Sequence, residues 1–319
     1  MRIVITGALG HIGSRLIREI PCAFPDAEIW LVDNLSTQRY CSLFNLPANG
    51  RYLFLEADVL TADLPRIFDK AEVVIHLAAL TNATESFEIK EQVMRVNVTG
   101  TEKVARACVQ TGSALIFISS TSVYEAQAEV VDEDCPITDL RPQSPYAESK
   151  LKAEQLLQAL GRTEDLAFVV CRFGTICGIS PGMRFHTAIN RFCWQAVMGE
   201  PITVWRTALH QTRPYLDLTD ALEGIMFIMR TNLFDRRIYN VLTTNASVKS
   251  ILDIISLHVP DISIRYVDTP IMNQLSYRVS NDRFRDNGFE FRGSLERGIN
   301  ETIQLLEGVR TGDVHARRI

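Results

Sequence analysis

Short apolar runs alternate with amphipathic segments along the first half of the chain. The apolar runs are rich in Val, Ile, Leu and Phe and lack strict alternation with polar residues, a pattern typical of buried parallel strands. The segments between them carry apolar residues at helical spacing. The runs are RIVIT, EIWLVD, YLFLEAD, EVVIHLAA, ALIFIS and AFVVCR, and the helical segments include IGSRLIREI, EQVMRVNVTGTEKVARACVQ and SPYAESKLKAEQLLQAL. This repeated strand–helix order predicts the α/β class with a doubly wound parallel sheet.

The pattern changes after Arg172, where the Gly- and Pro-containing stretch FGTICGISPGMRF begins. Farther along, DALEGIMFIMR and IYNV again have the patterns of a helix and a buried strand. We therefore expect residues 1–172 to form the sheet domain, with 214–245 returning to it. Residues 173–213 and 246–319 are expected to form a smaller C-terminal lobe.

Composition limits the kinds of binding partner and the cellular compartment that we expect for this chain. The chain has 319 residues, a net charge of −5 and no basic block, which argues against nucleic acid or an anionic membrane as the main partner. Its seven cysteines include no C-x-x-C pair, so we expect reduced thiols in the cytoplasm. The first run begins at Arg2, which leaves no room for a signal peptide, and no apolar run reaches the ~18 residues that a membrane helix needs. His11 lies in a glycine-containing turn, His76 ends a predicted strand, and His186 and His210 lack metal-ligand spacing, so no metal is expected.

A glycine-spaced turn joins the first predicted strand to the first predicted helix in VITGALGHIGSRL. Gly7, Gly10 and Gly13 suit a tight turn, a close approach of the backbone to a pyrophosphate, and a helix N-terminus that faces the phosphates. Asp33 ends the second strand, where its carboxylate can accept hydrogen bonds from ribose hydroxyls, and Asp58 ends the third, where it could face an adenine amino group. The spacing and the flanking strands favour a dinucleotide site over a turn without a ligand.

The carboxylate of Asp33 also predicts the choice of dinucleotide. It would repel a 2′-phosphate, and no arginine follows at once to neutralise it, Arg39 being the nearest candidate. We therefore expect NAD rather than NADP.

The stretch SPYAESK places Tyr146 one helical turn before Lys150. Residues four apart lie on the same face of a helix, so the ammonium group can approach the phenol and lower its pKa. Such a pair suits a general base, although a tyrosine and a lysine also occur at this spacing by chance.

Eight motifs occur in the order found in one family: TGALGHIGS, LVDNLS, EADV, HLAA, RVNVTGT, FISSTSVY, SPYAESK and TRPYLDLTD. Together they resemble the extended short-chain dehydrogenase/reductase family, and within it the NAD-dependent nucleotide-sugar epimerases and dehydratases. The resemblance implies a Rossmann sheet with a nucleotide-sugar-binding lobe. It implies that Tyr146 is the general base, that Lys150 orients it and binds the nicotinamide ribose, and that Ser120 hydrogen-bonds the reacting oxygen. Ser119, Thr121 and Ser122 lie beside Ser120, which the family spacing selects.

The same resemblance implies two sets of binding residues. The NAD-binding set is Gly7, Gly10, His11, Ile12, Gly13, Asp33, Asn34, Asp58, Val59, Leu77, Ala78, Ala79, Asn97, Tyr146, Lys150 and Phe173. The substrate-binding set is Thr81, Ser120, Thr121, Thr175, Trp205 and Arg213. Arg213 matches an arginine that grips the nucleotide diphosphate, or it is a surface arginine. Trp205 stacks on the base or fills the core, and Asn97 makes a structural hydrogen bond near the site or is an ordinary interior helix residue.

The residues after Ser120 narrow the chemistry. The 4,6-dehydratases carry Asp-Glu at this place, and the UDP-glucuronate decarboxylases carry a glutamate at the position of Ser122, whereas this chain has Thr121 and Ser122. We therefore expect a nucleotide-sugar epimerase that passes through a transient 4-keto intermediate. A dehydrogenase or keto-reductase on a nucleotide sugar is the alternative, and an inactive NAD-binding regulator is a third reading. The resemblance also implies a homodimer built by the helices that follow Glu91 and Tyr146.

Overall fold

A seven-stranded parallel sheet organises the chain, whose computed structural model describes residues 1–124, 130–268 and 276–309. The strands within these residues are β1 (Arg2–Thr6), β2 (Glu28–Asp33), β3 (Arg51–Glu56), β4 (Val73–His76), β5 (Ala114–Ser120), β6 (Val130–Val131), β7 (Phe168–Phe173), β8 (Thr175–Cys177), β9 (Ile202–Trp205), β10 (Thr212–Asp217), β11 (Ile238–Val241), β12 (Thr244–Ser247), β13 (Ile264–Val267) and β14 (Arg278–Val279). The last ten residues of the expected C-terminal lobe lie outside the described residues.

Helices connect the strands and pack on both faces of the sheet. They are α1 (His11–Ala23), α2 (Leu64–Phe68), α3 (Lys90–Met94), α4 (Gly100–Thr111), α5 (Pro145–Thr163), α6 (Ala188–Val197), α7 (Leu218–Thr231), α8 (Val248–His258), α9 (Asp282–Asp286) and α10 (Leu295–Leu306). A π-helical turn, Arg95–Thr99, joins α3 to α4. Local chemistry sets several ends: Ser144 caps α5 by accepting a hydrogen bond from the Ala147 amide, and Gly112 ends α4 with a φ of 71°.

The main sheet has the strand order β11-β7-β5-β4-β1-β2-β3, and all of its neighbouring pairs are parallel. Its central strands are buried on both faces, since every residue of β4 and β7 is buried. The doubly wound α/β fold predicted from the apolar runs is therefore confirmed. The strand order reverses between β1 and β4, and ligands of such sheets bind outside the carboxyl ends of the strands at this point.

The stretch after β7 builds smaller sheets beside the carboxyl edge. Strand β10 pairs in parallel with β8 and antiparallel with β12, and β9 pairs with β13. Helices α6, α8 and α10 bury a separate apolar core that includes Ile189, Ile251 and Ile299. The chain also returns to the main sheet, because β11 pairs in parallel with β7. Among the described residues, none of the helices has the length and apolar character needed to cross a membrane.

Candidate active site

The glycine turn lies between β1 and α1, pressed against the chain that follows β4. A Cβ atom at Gly7, whose φ is 67°, would lie 2.6 Å from the amide nitrogen of Ala78, and one at Gly13 would lie 2.5 Å from the carbonyl oxygen of Ala8. These two glycines are therefore required by close packing of the chain on itself. Gly10 is the N-cap of α1 and has no side chain to cap the helix, so the first amide groups of α1 are suited to bind an anion.

Asp33 ends β2 as predicted, whereas Asp58 lies two residues after the end of β3, and backbone amides donate to both carboxylates. Asp33 accepts hydrogen bonds from the amides of Leu9 and Leu35, each at 3.0 Å. Asp58 accepts one from the Leu60 amide at 2.8 Å and one from the side chain of Asn34 at 3.0 Å. Each carboxylate oxygen has two lone pairs, so both groups keep acceptor capacity for a ligand.

A cavity of about 330 Å³ opens beside these carboxylates. Its lining includes the predicted residues Gly7, Gly10, Asp33, Asn34, Asp58, Val59, Leu77, Ala78, Ala79 and Thr81. An adjoining cavity of about 360 Å³ is lined by the predicted residues Gly7, Gly10, His11, Ile12, Gly13, Leu77, Ala79, Thr81, Ser120, Tyr146, Lys150, Phe173 and Thr175. The two share Gly7, Gly10 and Thr81, so they form one groove along the carboxyl edge of the sheet.

Tyr146, Lys150 and Ser120 meet in the second cavity. Tyr146 and Lys150 lie in the first turns of α5, and Ser120 ends β5. The phenol of Tyr146 hydrogen-bonds with Ser120, which also accepts hydrogen bonds from the amide and the hydroxyl of Ser122 at 3.2 and 2.9 Å. The Lys150 ammonium donates to the carbonyl of Ile118 at 2.8 Å.

The electrostatics of this group differ from the sequence-based expectation. Desolvation raises the pKa of Tyr146, while its hydrogen bond with Ser120 and the positive charge of Arg184 oppose the increase. Burial lowers the pKa of Lys150 to about 8, and the nearby charge of Glu154 opposes that decrease. The expectation of a lowered tyrosine pKa was wrong, because desolvation of the phenol outweighs the groups that oppose it, and the positive charge among them is that of Arg184.

Asn97 lies in the π-helical turn and is almost fully buried. Its amide oxygen accepts from the Leu80 amide at 2.8 Å, and its amide nitrogen donates to the Leu80 carbonyl and the Ser149 hydroxyl, each at 2.9 Å. It thereby ties the loop after β4 to α5. A π-turn re-aims one side chain of a helix and is common at functional sites.

The predicted substrate residues are spread more widely. Arg213 stacks on Tyr277, with its guanidinium carbon 5.2 Å from the ring centroid, and Tyr277 donates to the carbonyl of Thr121 at 3.1 Å. Arg213 is not among the residues that line either cavity. Thr121 is buried and donates to the carbonyl of Phe173 at 3.3 Å. Trp205 is 40% exposed, which rules out the reading that it fills the core.

Arg184 is a site residue that the sequence did not reveal. It lines both cavities and donates to the hydroxyl of Thr81 at 2.6 Å. It belongs to the irregular stretch after β8, which has no periodicity that would place it. Arg39, the nearest candidate for a 2′-phosphate, instead donates to the carbonyl of Gly182 at 2.8 Å.

Two histidines near the groove have structural partners. His11 hydrogen-bonds to the carbonyl of Gly178 at 2.8 Å, and His76 lies between the hydroxyls of Thr6 and Thr101 at 2.7 and 3.1 Å. Burial lowers their pKa values to about 4 and about 3, so both imidazoles are neutral at pH 7. Within the ranges that the structure describes, no group of three or more His, Cys, Asp and Glu side chains could hold a metal ion.

Comparisons with known proteins agree with the motifs. In Arabidopsis thaliana, a trifunctional UDP-glucose 4,6-dehydratase/UDP-4-keto-6-deoxy-D-glucose 3,5-epimerase/UDP-4-keto-L-rhamnose-reductase is 28% identical over 318 residues, which cover 95% of this chain and 46% of the relative. An uncharacterized UDP-glucose epimerase of Bacillus subtilis (strain 168) is 27% identical over 88% of each chain. The structure of MoeE5 in complex with UDP-glucuronic acid and NAD has a TM-score of 0.82 and 26% identity, covering 95% of this chain and 98% of that chain.

This chain thus spans about half the length of the plant relative. The sequence profile of the NAD dependent epimerase/dehydratase family matches residues 3–241, which is most of the chain. The chain therefore belongs to the NAD dependent epimerase/dehydratase family, as its motifs indicated.

Proposed function

We propose that this protein is an NAD-dependent epimerase that interconverts nucleotide-activated sugars at C4 through a transient 4-keto sugar. The observation that carries the proposal is the meeting of Ser120, Tyr146 and Lys150 in one cavity that continues into the groove beside Asp33. Thr121 and Ser122 stand where a dehydratase would need acids, and Ser122 donates its hydroxyl hydrogen to Ser120.

The groove fits NAD at both of its ends. We assign the adenosine part to the first cavity, with Asp33 accepting from the ribose hydroxyls and Asp58 and Asn34 near the adenine. The pyrophosphate would lie on the N-terminus of α1 at Gly10, where the turn carries no side chain. Lys150 and Phe173, which line the second cavity, would hold the nicotinamide riboside. The carboxylate of Asp33 favours NAD over NADP by repelling a 2′-phosphate.

Tyr146 is the residue that moves the proton. As phenolate it takes the proton from the C4 hydroxyl, and as phenol it returns a proton when the sugar presents its other face. Ser120, already hydrogen-bonded with Tyr146, holds the reacting oxygen. Bound NAD would supply the hydride acceptor and a positive charge at this site. That charge would add to the charge of Arg184, which favours the phenolate against desolvation.

The remaining predicted substrate residues are assigned to the nucleotide sugar. Thr81 and Thr175 line the second cavity, and we assign them to the sugar. We assign Arg213 to the diphosphate, because a planar guanidinium donates several hydrogen bonds to phosphate, and the half-exposed Trp205 to the base. The relatives named above are described as acting on UDP-sugars, which makes UDP-sugars the first substrates to test.

We further propose that the protein is a homodimer and is located in the cytoplasm. The dimer would form through the helices that follow Glu91 and Tyr146, and Phe87, just before the first of them, is a half-exposed aromatic residue. None of the seven cysteines forms a disulfide in the described part of the chain, as a reducing compartment favours. Light scattering during gel filtration tests the dimer, and a monomer at micromolar concentration would contradict it.

One experiment separates the candidate activities. Purified protein is incubated without added cofactor with a panel of UDP-, dTDP-, GDP- and CDP-sugars, the products are separated by chromatography, and the NADH absorbance is followed in parallel. The proposal expects a C4 epimer pair and no accumulation of NADH, because the hydride returns to the sugar. Stoichiometric NADH with a stable keto sugar would identify a dehydrogenase. This alternative is tested because the plant relative is described as having a reductase activity. Inactivity on the whole panel would favour a regulator.

A further inference from the structure

The segment 178–184, here called the clasp, lies across the glycine turn. It follows β8 and makes contacts with α1 along its length. Its first carbonyl, of Gly178, accepts from His11 at 2.8 Å, and the next, of Ile179, accepts from Arg15 at 3.4 Å. These two donors belong to the helix whose N-terminus faces the pyrophosphate position, so the clasp is anchored beside that position.

Gly182 is the point at which the clasp comes closest to the turn. A Cβ atom there would lie 2.3 Å from the carbonyl oxygen of Leu9 and 2.6 Å from that of Gly10, distances that real Cβ atoms do not adopt. Both polar groups of its backbone are satisfied by the sheet domain. Its amide donates to the buried hydroxyl of Ser14 at 2.9 Å, and its carbonyl accepts from Arg39 at 2.8 Å.

The far end of the clasp reaches the opposite wall of the groove. Arg184 donates to Thr81, which follows β4, at 2.6 Å, and Arg184 lines both cavities. The clasp therefore runs from α1, over Gly10, to the loop after β4. Arg184 is the clasp residue that lines both cavities, so a dinucleotide in the groove would contact the clasp at Arg184, while Gly182 fixes the clasp against the turn.

We propose that the clasp retains NAD between the two hydride transfers, and that Ser14, Arg39 and Gly182 are the positioning residues that hold it closed. The inference rests on the proposed function, because an epimerase must keep its reduced cofactor until the hydride returns. Arg39 and Ser14 act at a distance from the reacting atoms, through the backbone of Gly182. Their loss should accelerate cofactor release rather than alter the chemical step.

The test measures release of NAD from the intact protein. The protein is loaded with NAD, desalted, and mixed with ethanol and alcohol dehydrogenase, which reduces only the NAD that has left the site. Gly182→Ala adds one methyl group that the contact with Leu9 and Gly10 cannot accommodate. Its matched control is Gly308→Ala, where an added Cβ would meet nothing within 4 Å. Arg39→Met removes the donor to Gly182, and its control is Arg230→Ala, a surface arginine that pairs with Glu223.

We expect Gly182→Ala and Arg39→Met to release NAD roughly tenfold faster or more, because the first pushes the clasp away from Leu9 and the second removes the charged donor to the Gly182 carbonyl. Both controls should release NAD at the wild-type rate. Turnover of Arg39→Met should recover when NAD is added in excess, which a general loss of structure would not allow. If Gly182→Ala does not fold, as judged by circular dichroism, Arg39→Met decides the question.

The outcomes distinguish this inference from the proposed function. Wild-type protein that retains NAD and epimerises sugars, combined with variants that release NAD no faster, would overturn the clasp alone. Variants whose turnover stays low at saturating NAD would also overturn it, because Arg39 would then act on the chemistry. Wild-type protein that binds no NAD would overturn both.

Discussion

Removing the carboxylate of Glu154 should destabilise the protein and disturb the residues proposed to be catalytic. Glu154 and Arg172 are each only 2% exposed, and the guanidinium donates to the carboxylate from Nε at 3.0 Å and from Nη2 at 2.7 Å. The hydroxyl of Ser119 also donates to Glu154. The pair thus joins β5, β7 and α5 at the places where they carry Ser120, Phe173 and Lys150.

The size of the effect follows from burial. Glu154→Ala leaves the guanidinium of Arg172 buried without its counter-charge, and breaking a buried pair in this way costs about 3–5 kcal/mol. That is a large part of the roughly 5–15 kcal/mol that stabilises a typical domain. Glu154→Gln also removes the counter-charge of Arg172 but keeps the shape and one acceptor, so its cost should be somewhat below that of Glu154→Ala.

Urea unfolding followed by circular dichroism measures these costs at constant m-value. The control is Glu223→Gln, because Glu223 pairs with Arg230 on the surface, where such pairs contribute about 0–1 kcal/mol. The double variant Glu154→Leu with Arg172→Met should recover much of the lost stability, since no charge is left stranded. A free energy of unfolding for Glu154→Ala within about 1 kcal/mol of wild type would refute the reasoning.

The same variant makes a prediction about pH. Burial lowers the pKa of Lys150 to about 8, and the negative charge of Glu154 opposes this decrease. Protonated Lys150 is the stronger hydrogen-bond donor to the nicotinamide ribose that we assign to it, so turnover should fall above that pH. In Glu154→Gln the fall should begin at a lower pH than in wild type. A purely structural role of Glu154 would leave the profile in place and change only its height.

Three further predictions concern single residues of the groove. Tyr146→Phe should fold and bind NAD but lose about 10²–10⁴-fold in turnover, because it lacks the ionisable oxygen; wild-type rates would exclude it as the base. Arg213→Ala should raise the dissociation constant of the nucleotide sugar roughly tenfold or more by calorimetry and leave that of NAD unchanged, whereas equal weakening of both would place Arg213 elsewhere. Calorimetry should also show that NAD binds more tightly than NADP, and Asp33→Asn should reduce the difference between the two dissociation constants. Tighter binding of NADP by the wild type would contradict the assignment of Asp33 to the ribose hydroxyls.

The amino-acid sequence by itself predicted the sheet, the glycine turn, and the pair Tyr146 and Lys150 that we propose to be catalytic. The central strands were recognisable because burial on both faces requires continuous apolar runs such as that of Phe168–Phe173. Tyr146 and Lys150 share a helix face because they lie one turn apart, and the order of the family motifs, rather than this spacing, singled them out. The inferences about the strands and the glycine turn depend on neighbours within a few residues, where backbone geometry fixes the spacing.

The tertiary structure alone decided the features that depend on distant parts of the chain. Arg184 meets Thr81 across 103 residues of sequence, and Arg39 meets Gly182 across 143. Both contacts arise in an irregular segment whose path is set by packing against the turn rather than by periodicity. The pKa of Tyr146 also depends on the three-dimensional surroundings, since desolvation and the charge of Arg184 compete there. Long-range packing and burial, which local sequence patterns do not encode, therefore determined the walls of the groove and the direction of the pKa shift of Tyr146.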